Sequence, residues 1–293
     1  MQRSRSITGL LGDGVAVGLL RRLRRRAGKV DLFRGVVVPV DDLIGQRVIS
    51  TGMFEATHID GALGLLSAFP RLRDGRGLFV DVGANIGLYS IALGPHFRRG
   101  VAIEANPQTF KVLEANLALK GLDRVSAFCV GASDGPGEAS IYVPLNGNLG
   151  WATLDPGHHK LPLKELPIRL RTVDDILAEL DDGPVRLMKV DVEGHEVAVL
   201  RGARAMLARD RPVVLFEVLD ADAGRASAAM LRECGYRRFF GFKRGWPAAG
   251  GRIASVWRGL RTGLPVNLRE IDAADLHHAA LVCAIAGDVD PVS

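Results

Sequence analysis

Apolar residues recur along this chain in two alternating periods. Leu78, Phe79, Val80 and Val82 form a short apolar run of the kind a strand covered on both faces requires. Leu88 to Leu93 resume at helical spacing, and Gly94-Pro95 stops that helix. The alternation then repeats, with strands expected over 101–104, 125–130, 185–190 and 213–218 and helices over 107–119, 196–208 and 222–233. One helix shows the local logic: Asn106 is a good N-cap, Pro107 suits the first helical position, Phe110, Leu113 and Leu117 share a face, and Gly121 ends it. Ahead of this region "GVVVPV" (35–40) reads as a short strand and 50–69 as a helical lead-in. Between 134 and 184 the alternation breaks. There "GEASIYV" reads as a strand and "IRLRTVDDIL" as a strand entering a helix capped by Thr172, so this segment is expected to decorate the sheet. The tail carries a strand after 236 and a last apolar strand, "ALVCAIA", which should pair to finish it. Strands alternating with helices predict an α/β fold, a parallel sheet with helices on both faces.

Ligands of such sheets bind where loops leave the carboxyl ends of the strands and helix N-termini point into the crevice. The stretch "DVGANIG" sits at such an end, placing Asp81, Gly83, Asn85 and Gly87 in the turn between a strand and a helix. Glycine admits backbone conformations and close approaches that a side chain blocks, and the N–H groups that follow offer donors to an anion. Asn85 stands where a dinucleotide fingerprint has its middle glycine, which leaves a pyrophosphate less room. Glu104 ends the next strand, about 20 residues on, where a carboxylate accepts hydrogen bonds from ribose hydroxyls. Replacing it with alanine is expected to weaken a nucleoside ligand and leave the fold undisturbed.

A second acidic landmark is "LMKVDVEGHE", whose strand delivers Asp191, Glu193, His195 and Glu196 within six residues. Carboxylates are costly beside an apolar core unless they meet a ligand or cations. Asp191 and Glu193 are therefore expected to face the crevice, and Glu196 to cap or brace the new helix. His195 is the expected general base, since an imidazole with an ordinary pKa near 6.5 is largely neutral at pH 7. Asp191 competes for that role, with Glu193 positioning. Asp191, Glu193 and His195 are also metal-ligand types, but they stand too close in sequence, across a turn, for an octahedral site, and no metal is expected.

At 293 residues and 47% hydrophobic, the chain has the size and composition of a globular protein with a full core. No apolar run approaches the roughly 20 residues of a membrane span. The start has a basic head and an apolar middle, but Asp13 interrupts it and arginines stand where a cleavage site would be, so no secretory signal is expected and the location is read as cytoplasmic. Much of the net charge of +5 comes from Arg21, Arg22, Arg24, Arg25 and Arg26, in a basic extension over 1–49 that precedes the main domain, 50–293. Such a segment can touch an anionic membrane surface. It lacks the interleaved aromatics that stack on bases, and nucleic acid is not an expected partner. Cys129, Cys234 and Cys283 read as buried thiols of a reducing compartment.

Taken together, "FVDVGANIG", "IEANP", "GASDGPGEASIYV", "MKVDVEGHEVAVLRGA" and "PVVLFEV" resemble the FkbM family of S-adenosylmethionine-dependent methyltransferases, across roughly residues 50–240. The resemblance implies a class I methyltransferase (Rossmann-like) fold, with a mostly parallel seven-stranded sheet whose last strand is antiparallel. It implies S-adenosylmethionine as cofactor and O-methylation of a small-molecule or glycan acceptor. By that similarity Asp81, Gly83, Asn85 and Gly87 would hold the methionine end of the cofactor, Glu104 its ribose, and Ser133 or Asp134 the neighbourhood of its adenine. An NAD-binding oxidoreductase is the first rival, weakened by Asn85 and the lack of a hydride-transfer dyad. A nucleic-acid methyltransferase is the second, and "DVEGHE" stands where its Asn/Asp-Pro-Pro-aromatic motif would be. The third is a non-catalytic cofactor-binding protein, against which Asp191 and Glu193 argue. Trp151, His158, His159, Phe242, Trp246 and Trp257 are candidates to line the acceptor pocket.

Overall fold

The computed structural model describes residues 33–287 apart from 34, 40–41, 52–55, 73, 146–148, 158–160, 181–182 and 245–265. His158, His159, Trp246, Trp257 and the cluster Arg21, Arg22, Arg24, Arg25 and Arg26 lie outside the described residues. In chain order the elements are α1 (Leu43–Thr51), α2 (Ala56–Ala68), β1 (Leu78–Val82), α3 (Leu88–Leu93), β2 (Arg99–Ile103), α4 (Pro107–Leu119), β3 (Val125–Phe128), β4 (Gly131–Ala132), β5 (Gly137–Pro144) and β6 (Leu163–Arg171). They continue with α5 (Val173–Ala178), β7 (Val185–Val190), α6 (Glu196–Gly202), α7 (Arg204–Asp210), β8 (Val213–Glu217), α8 (Ala221–Glu233), β9 (Tyr236–Arg244), β10 (Val266–Glu270) and β11 (Leu281–Ala286).

Among the described residues, eight strands form the main sheet, in the order β10-β9-β11-β8-β7-β1-β2-β3. From β3 to β8 every neighbouring pair is parallel. The final strand β11 is antiparallel to both β8 and β9, between which it is inserted. This is the expected mostly parallel α/β architecture, with one strand more: β10 pairs antiparallel on the outer edge of β9. The chain builds β1, β2 and β3 in one direction, then returns to place β7 on the other side of β1. A crevice therefore opens at the carboxyl ends of β1 and β7, where the strand order reverses.

All five residues of β1 are buried, which explains its unbroken apolar pattern and makes its one charge, Asp81, a buried one. The cap of α4 is as expected, the Asn106 side chain accepting from the Gln108 N–H at 3.0 Å. Thr172 caps α5, accepting from Asp175 N–H at 3.0 Å. The segment expected to decorate the sheet forms a second, three-stranded sheet, β4-β6-β5, with its own small apolar cluster of Ile141, Val143 and Ile168. Helix α1 straddles residue 50, and its Ile44 and Val48 are buried in the main core together with Phe33.

Three expectations about this frame change. Residues 36–39 form no strand: the Val37 N–H donates to Asn116 Oδ1 at 2.6 Å and the Val37 carbonyl accepts from Asn116 Nδ2 at 3.0 Å. A side-chain amide on α4 thus takes the place of a ladder partner. The helix expected over 196–208 is two helices, broken at Ala203. A Cβ on Gly202 would overlap the Ser133 carbonyl oxygen, so Gly202 lets α6 press against the loop after β4. Replacing Gly202 with alanine forces that loop away, and the expected cost is about 1–3 kcal/mol, read as a lowered melting temperature. Finally, Cys234 and Cys283 are buried but Cys129 is exposed, because it follows β3, the edge strand of the sheet.

Candidate functional site

The crevice at the carboxyl ends of β1, β2, β7 and β8 is a cleft lined by Gly83, Asn85, Glu104, Lys189, Asp191, Glu193, His195 and Glu217, with an apolar rim. Its floor begins with the glycine turn. Gly83 has φ +70°, and a Cβ there would overlap the backbone carbonyl of Asp191. The close approach that requires glycine is thus between two segments of the protein itself, the turn after β1 and the end of β7. Asn85 follows at φ +52°, a left-handed conformation asparagine tolerates better than most residues. Gly87, at φ +89°, is the N-cap of α3.

Glu104 joins this turn to the end of β2. Its Oε2 accepts from the Asn85 N–H and its Oε1 from the Asn106 N–H, each at 2.8 Å. Burial pushes its carboxyl above the ordinary range, and the Asn106 and Asn85 N–H groups pull the other way. The residue therefore also braces the turn, so the expectation that alanine leaves the fold undisturbed no longer stands: two backbone donors would lose their acceptor. Asn85 Oδ1 is buried without a hydrogen-bond partner among the described residues. An unmet acceptor beside the glycine turn suits a ligand that brings a donor, such as the ammonium of an amino acid.

Asp81 does not line the cleft. It is fully buried behind the turn, accepts from Ser90 Oγ at 2.7 Å, and stands 3.8 Å from Lys189 Nζ. Burial raises its pKa, against the charge of Lys189 and the Ser90 hydrogen bond. Lys189 is a residue that motif reading overlooked. It is the cross-strand partner of Asp81 in the β1–β7 register, and its ammonium donates to the Gly83 carbonyl at 2.9 Å and pairs with Asp191 Oδ2 at 3.1 Å. The signal was the lysine inside "LMKV", the apolar and buried part of the strand, since a charge in a strand buried on both faces must meet a partner.

The loop after β7 delivers the acidic residues. Glu193 holds φ +51°, Gly194 φ +100°, and Glu196 Oε1 accepts from the N–H groups of Val192 and Gly194 at 3.1 and 3.2 Å. Glu196 thus braces the loop, and it is buried. Asp191 and Glu193 project into the cleft and meet Glu217, from the end of β8, with carboxylate oxygens within 4.8 Å of one another. Glu217 was not singled out in sequence, because only the β7–β8 pairing sets it beside Asp191. Desolvation first, then the charges of Asp191 and Glu193, raise its pKa well above the carboxylate range.

His195 lies on another side of this loop. Its Nε2 is 2.9 Å from Ser133 Oγ, which in turn donates to Asp134 Oδ1 at 3.4 Å. Burial lowers its pKa, with Asp134 opposing, so the imidazole is neutral at pH 7. Ser133 and Asp134 reach the site through His195 and do not line the cleft themselves. The connection between β5 and β6 reaches the cleft: Thr153 Oγ1 donates to the Glu193 carbonyl at 2.9 Å, and Trp151, Ala152 and Leu154 are among the lining residues. Phe242 packs instead against Gly61 of α2.

Residues 81–238, more than half of the chain, match the Methyltransferase FkbM domain family. Methyltransferase 1 of Beauveria bassiana is 30% identical over 142 residues, covering 42% of this chain and 57% of that protein. Methyltransferase sdnD of Sordaria araneosa is 33% identical over 155 residues, with 42% and 59% covered. The AMB antimetabolite synthetase AmbE of Pseudomonas aeruginosa is 32% identical over 199 residues, 54% of this chain but 9% of that much larger protein. The match thus spans less than two thirds of each of these relatives. Among solved structures, a methyltransferase FkbM from Methylobacillus flagellatus aligns at 18% identity and a TM-score of 0.42, covering 79% of this chain and 57% of the other.

Proposed function

This chain belongs to the FkbM methyltransferase family, and on that premise we propose that it binds S-adenosylmethionine in the cleft and methylates a hydroxyl of a glycan or secondary metabolite. The observation that carries this reading is Glu104, a carboxylate held by two backbone N–H groups at the lip of the glycine turn, where it can receive both hydroxyls of a ribose. Asn85, with its unmet Oδ1 beside Gly83, suits the amino-acid end of the cofactor better than a pyrophosphate. Ser133 and Asp134, which reach the cleft through His195, would back the part of the wall that faces the adenine. When bound, the cofactor supplies an electrophilic methyl group on a sulfonium. The protein's share is to align an acceptor hydroxyl with that methyl, a positioning effect worth several kcal/mol and up to about 7–11 in ideal cases. Asp191 and Glu193 are suited to orient the hydroxyl, and a base must take its proton. Two groups compete for that proton, His195 and Asp191. His195 Nε2 already meets Ser133, whereas Asp191 has Glu217 beside it, which favours the carboxylate side.

Calorimetric titration tests the reading. S-adenosylmethionine and its demethylated product, S-adenosylhomocysteine, should both saturate a single site, and NAD should not; tighter binding of NAD would refute it. Glu104→Gln keeps the shape and loses the charge that two ribose hydroxyls would meet. Its affinity for both ligands should fall tenfold or more, since a hydrogen bond to a charged group contributes about 1.5–3 kcal/mol. Because the amide nitrogen introduced by this substitution would face a backbone N–H, the free protein should also melt lower. Unchanged affinity, measured well below that melting point, would remove the ribose assignment.

A further inference from the structure

Resting on that reading, we propose that Glu217 and Asp191 share one proton, release it when the cleft takes up the sulfonium-bearing cofactor, and regain one from the acceptor hydroxyl. The geometry is the ground for this. Asp191 and Glu217 end neighbouring parallel strands, both line the cleft, and their carboxylate oxygens gather with those of Glu193 within 4.8 Å. Carboxylates this close resist ionising together in a partly buried site. Lys189 balances part of this charge, but it is divided between Asp191 Oδ2 at 3.1 Å and Asp81 Oδ1 at 3.8 Å. Glu217 Oε2 is buried and meets no hydrogen-bond partner among the described residues.

The charged groups facing Glu217 come from a few elements. Asp191 and Glu193 stand in the loop after β7 and Glu196 at the start of α6, while on its other flank the strand partner in β11 is Leu281, which carries no charge. Desolvation and these carboxylates all favour the protonated form of Glu217 in the empty cleft. A sulfonium in the same cleft acts in the opposite sense, because a nearby positive charge favours the ionised form.

The balance of the transfer then closes. The acceptor oxygen forms its bond to the methyl carbon, the methyl–sulfur bond breaks with its electron pair left on sulfur, and the O–H proton passes to the carboxylate pair. The site loses one positive charge at sulfur and gains one as the proton, so its net charge is unchanged across the step. Product leaves from a protonated pair, and the pair gives that proton to water when the cleft fills again.

S-adenosylhomocysteine differs from the cofactor by the methyl group and the sulfonium charge, and it serves as the probe that separates charge from shape. Heats of binding measured at pH 6 to 9, in buffers of different ionisation enthalpy, count the protons released. We expect release with S-adenosylmethionine to exceed release with S-adenosylhomocysteine by up to about one proton per site. In Glu217→Gln that excess should vanish while both ligands still bind. Equal release by the two ligands in the unaltered protein would overturn the proposal, as would an excess that persists in Glu217→Gln. If Glu217→Gln does not fold, Asp191→Asn carries the same comparison. Failure of either ligand to bind would instead overturn the cofactor reading beneath it.

Discussion

Lys189→Met should destabilise the protein by about 3–5 kcal/mol at neutral pH, the usual cost of removing one partner from a buried ion pair. The methionine fills a similar volume, so the loss is electrostatic. Asp81, fully buried, would keep its Ser90 hydrogen bond but lose the cation set against it, and Asp191 would lose its ion pair at 3.1 Å. The Gly83 carbonyl would lose its donor as well. Set against a total stability of about 5–15 kcal/mol, a loss of this size lowers the melting temperature on the order of 10 °C. The effect has a definite sign with pH. Burial raises the folded pKa of Asp81 above its unfolded value of 3.8, so the folded state binds the proton more tightly. This contribution favours folding at low pH and is lost as pH rises through the folded pKa. Without Lys189 that folded pKa climbs further, so the gap between variant and parent should narrow as the pH is lowered from 7 toward 4. Melting curves across that range check it, and a gap independent of pH would mean that the loss comes from packing.

Lys189 also marks where reading the sequence reaches its limit. The glycine turn and Glu104 were legible because their geometry is local: a strand end, a tight turn and a helix start need particular residues within a few positions. The cap of α4 was legible for the same reason, as was the parallel sheet, which follows from alternating periods. The pairing of Lys189 with Asp81 depends on the register between strands more than one hundred residues apart, and nothing in either strand states that register. Glu217 reaches the cleft in the same way, through its strand's place beside β7.

Other departures came from tertiary contacts overriding local preference. The valines over 36–38 have strand propensity, yet Asn116 on α4 satisfies the backbone of Val37 and holds it outside any sheet. Helix α6 ends at Gly202 although the apolar spacing continues through α7, because the helix leans there on the loop at Ser133. An eighth strand, β10, arises from a tail whose pattern is too short and polar to declare itself before it meets β9.

Gly83→Ala is expected to cost the site its function while leaving most of the core folded. Two penalties combine. A non-glycine residue at φ +70° costs roughly 1–2 kcal/mol, and the new Cβ would overlap the Asp191 carbonyl, a backbone atom that cannot swing away. Relief requires the turn after β1 and the end of β7 to separate. That movement displaces Asn85, and through its N–H the carboxylate of Glu104, on one side; on the other it displaces Asp191. Both halves of the proposed site therefore shift relative to each other. A misplacement of about 1 Å is enough for roughly a 10²-fold loss of rate, and binding of either cofactor form should weaken in parallel. Gly87→Ala is the control: its φ of +89° is strained too, but among the described residues its Cβ would meet only Leu113 Cδ1, the movable end of a side chain. Calorimetry and thermal melting on the two variants decide the matter. Gly83→Ala should lose binding out of proportion to its melting temperature, and Gly87→Ala should lose far less. Equal losses in the two would mean that backbone strain alone is responsible and that contact between the turn and Asp191 is not what aligns the site.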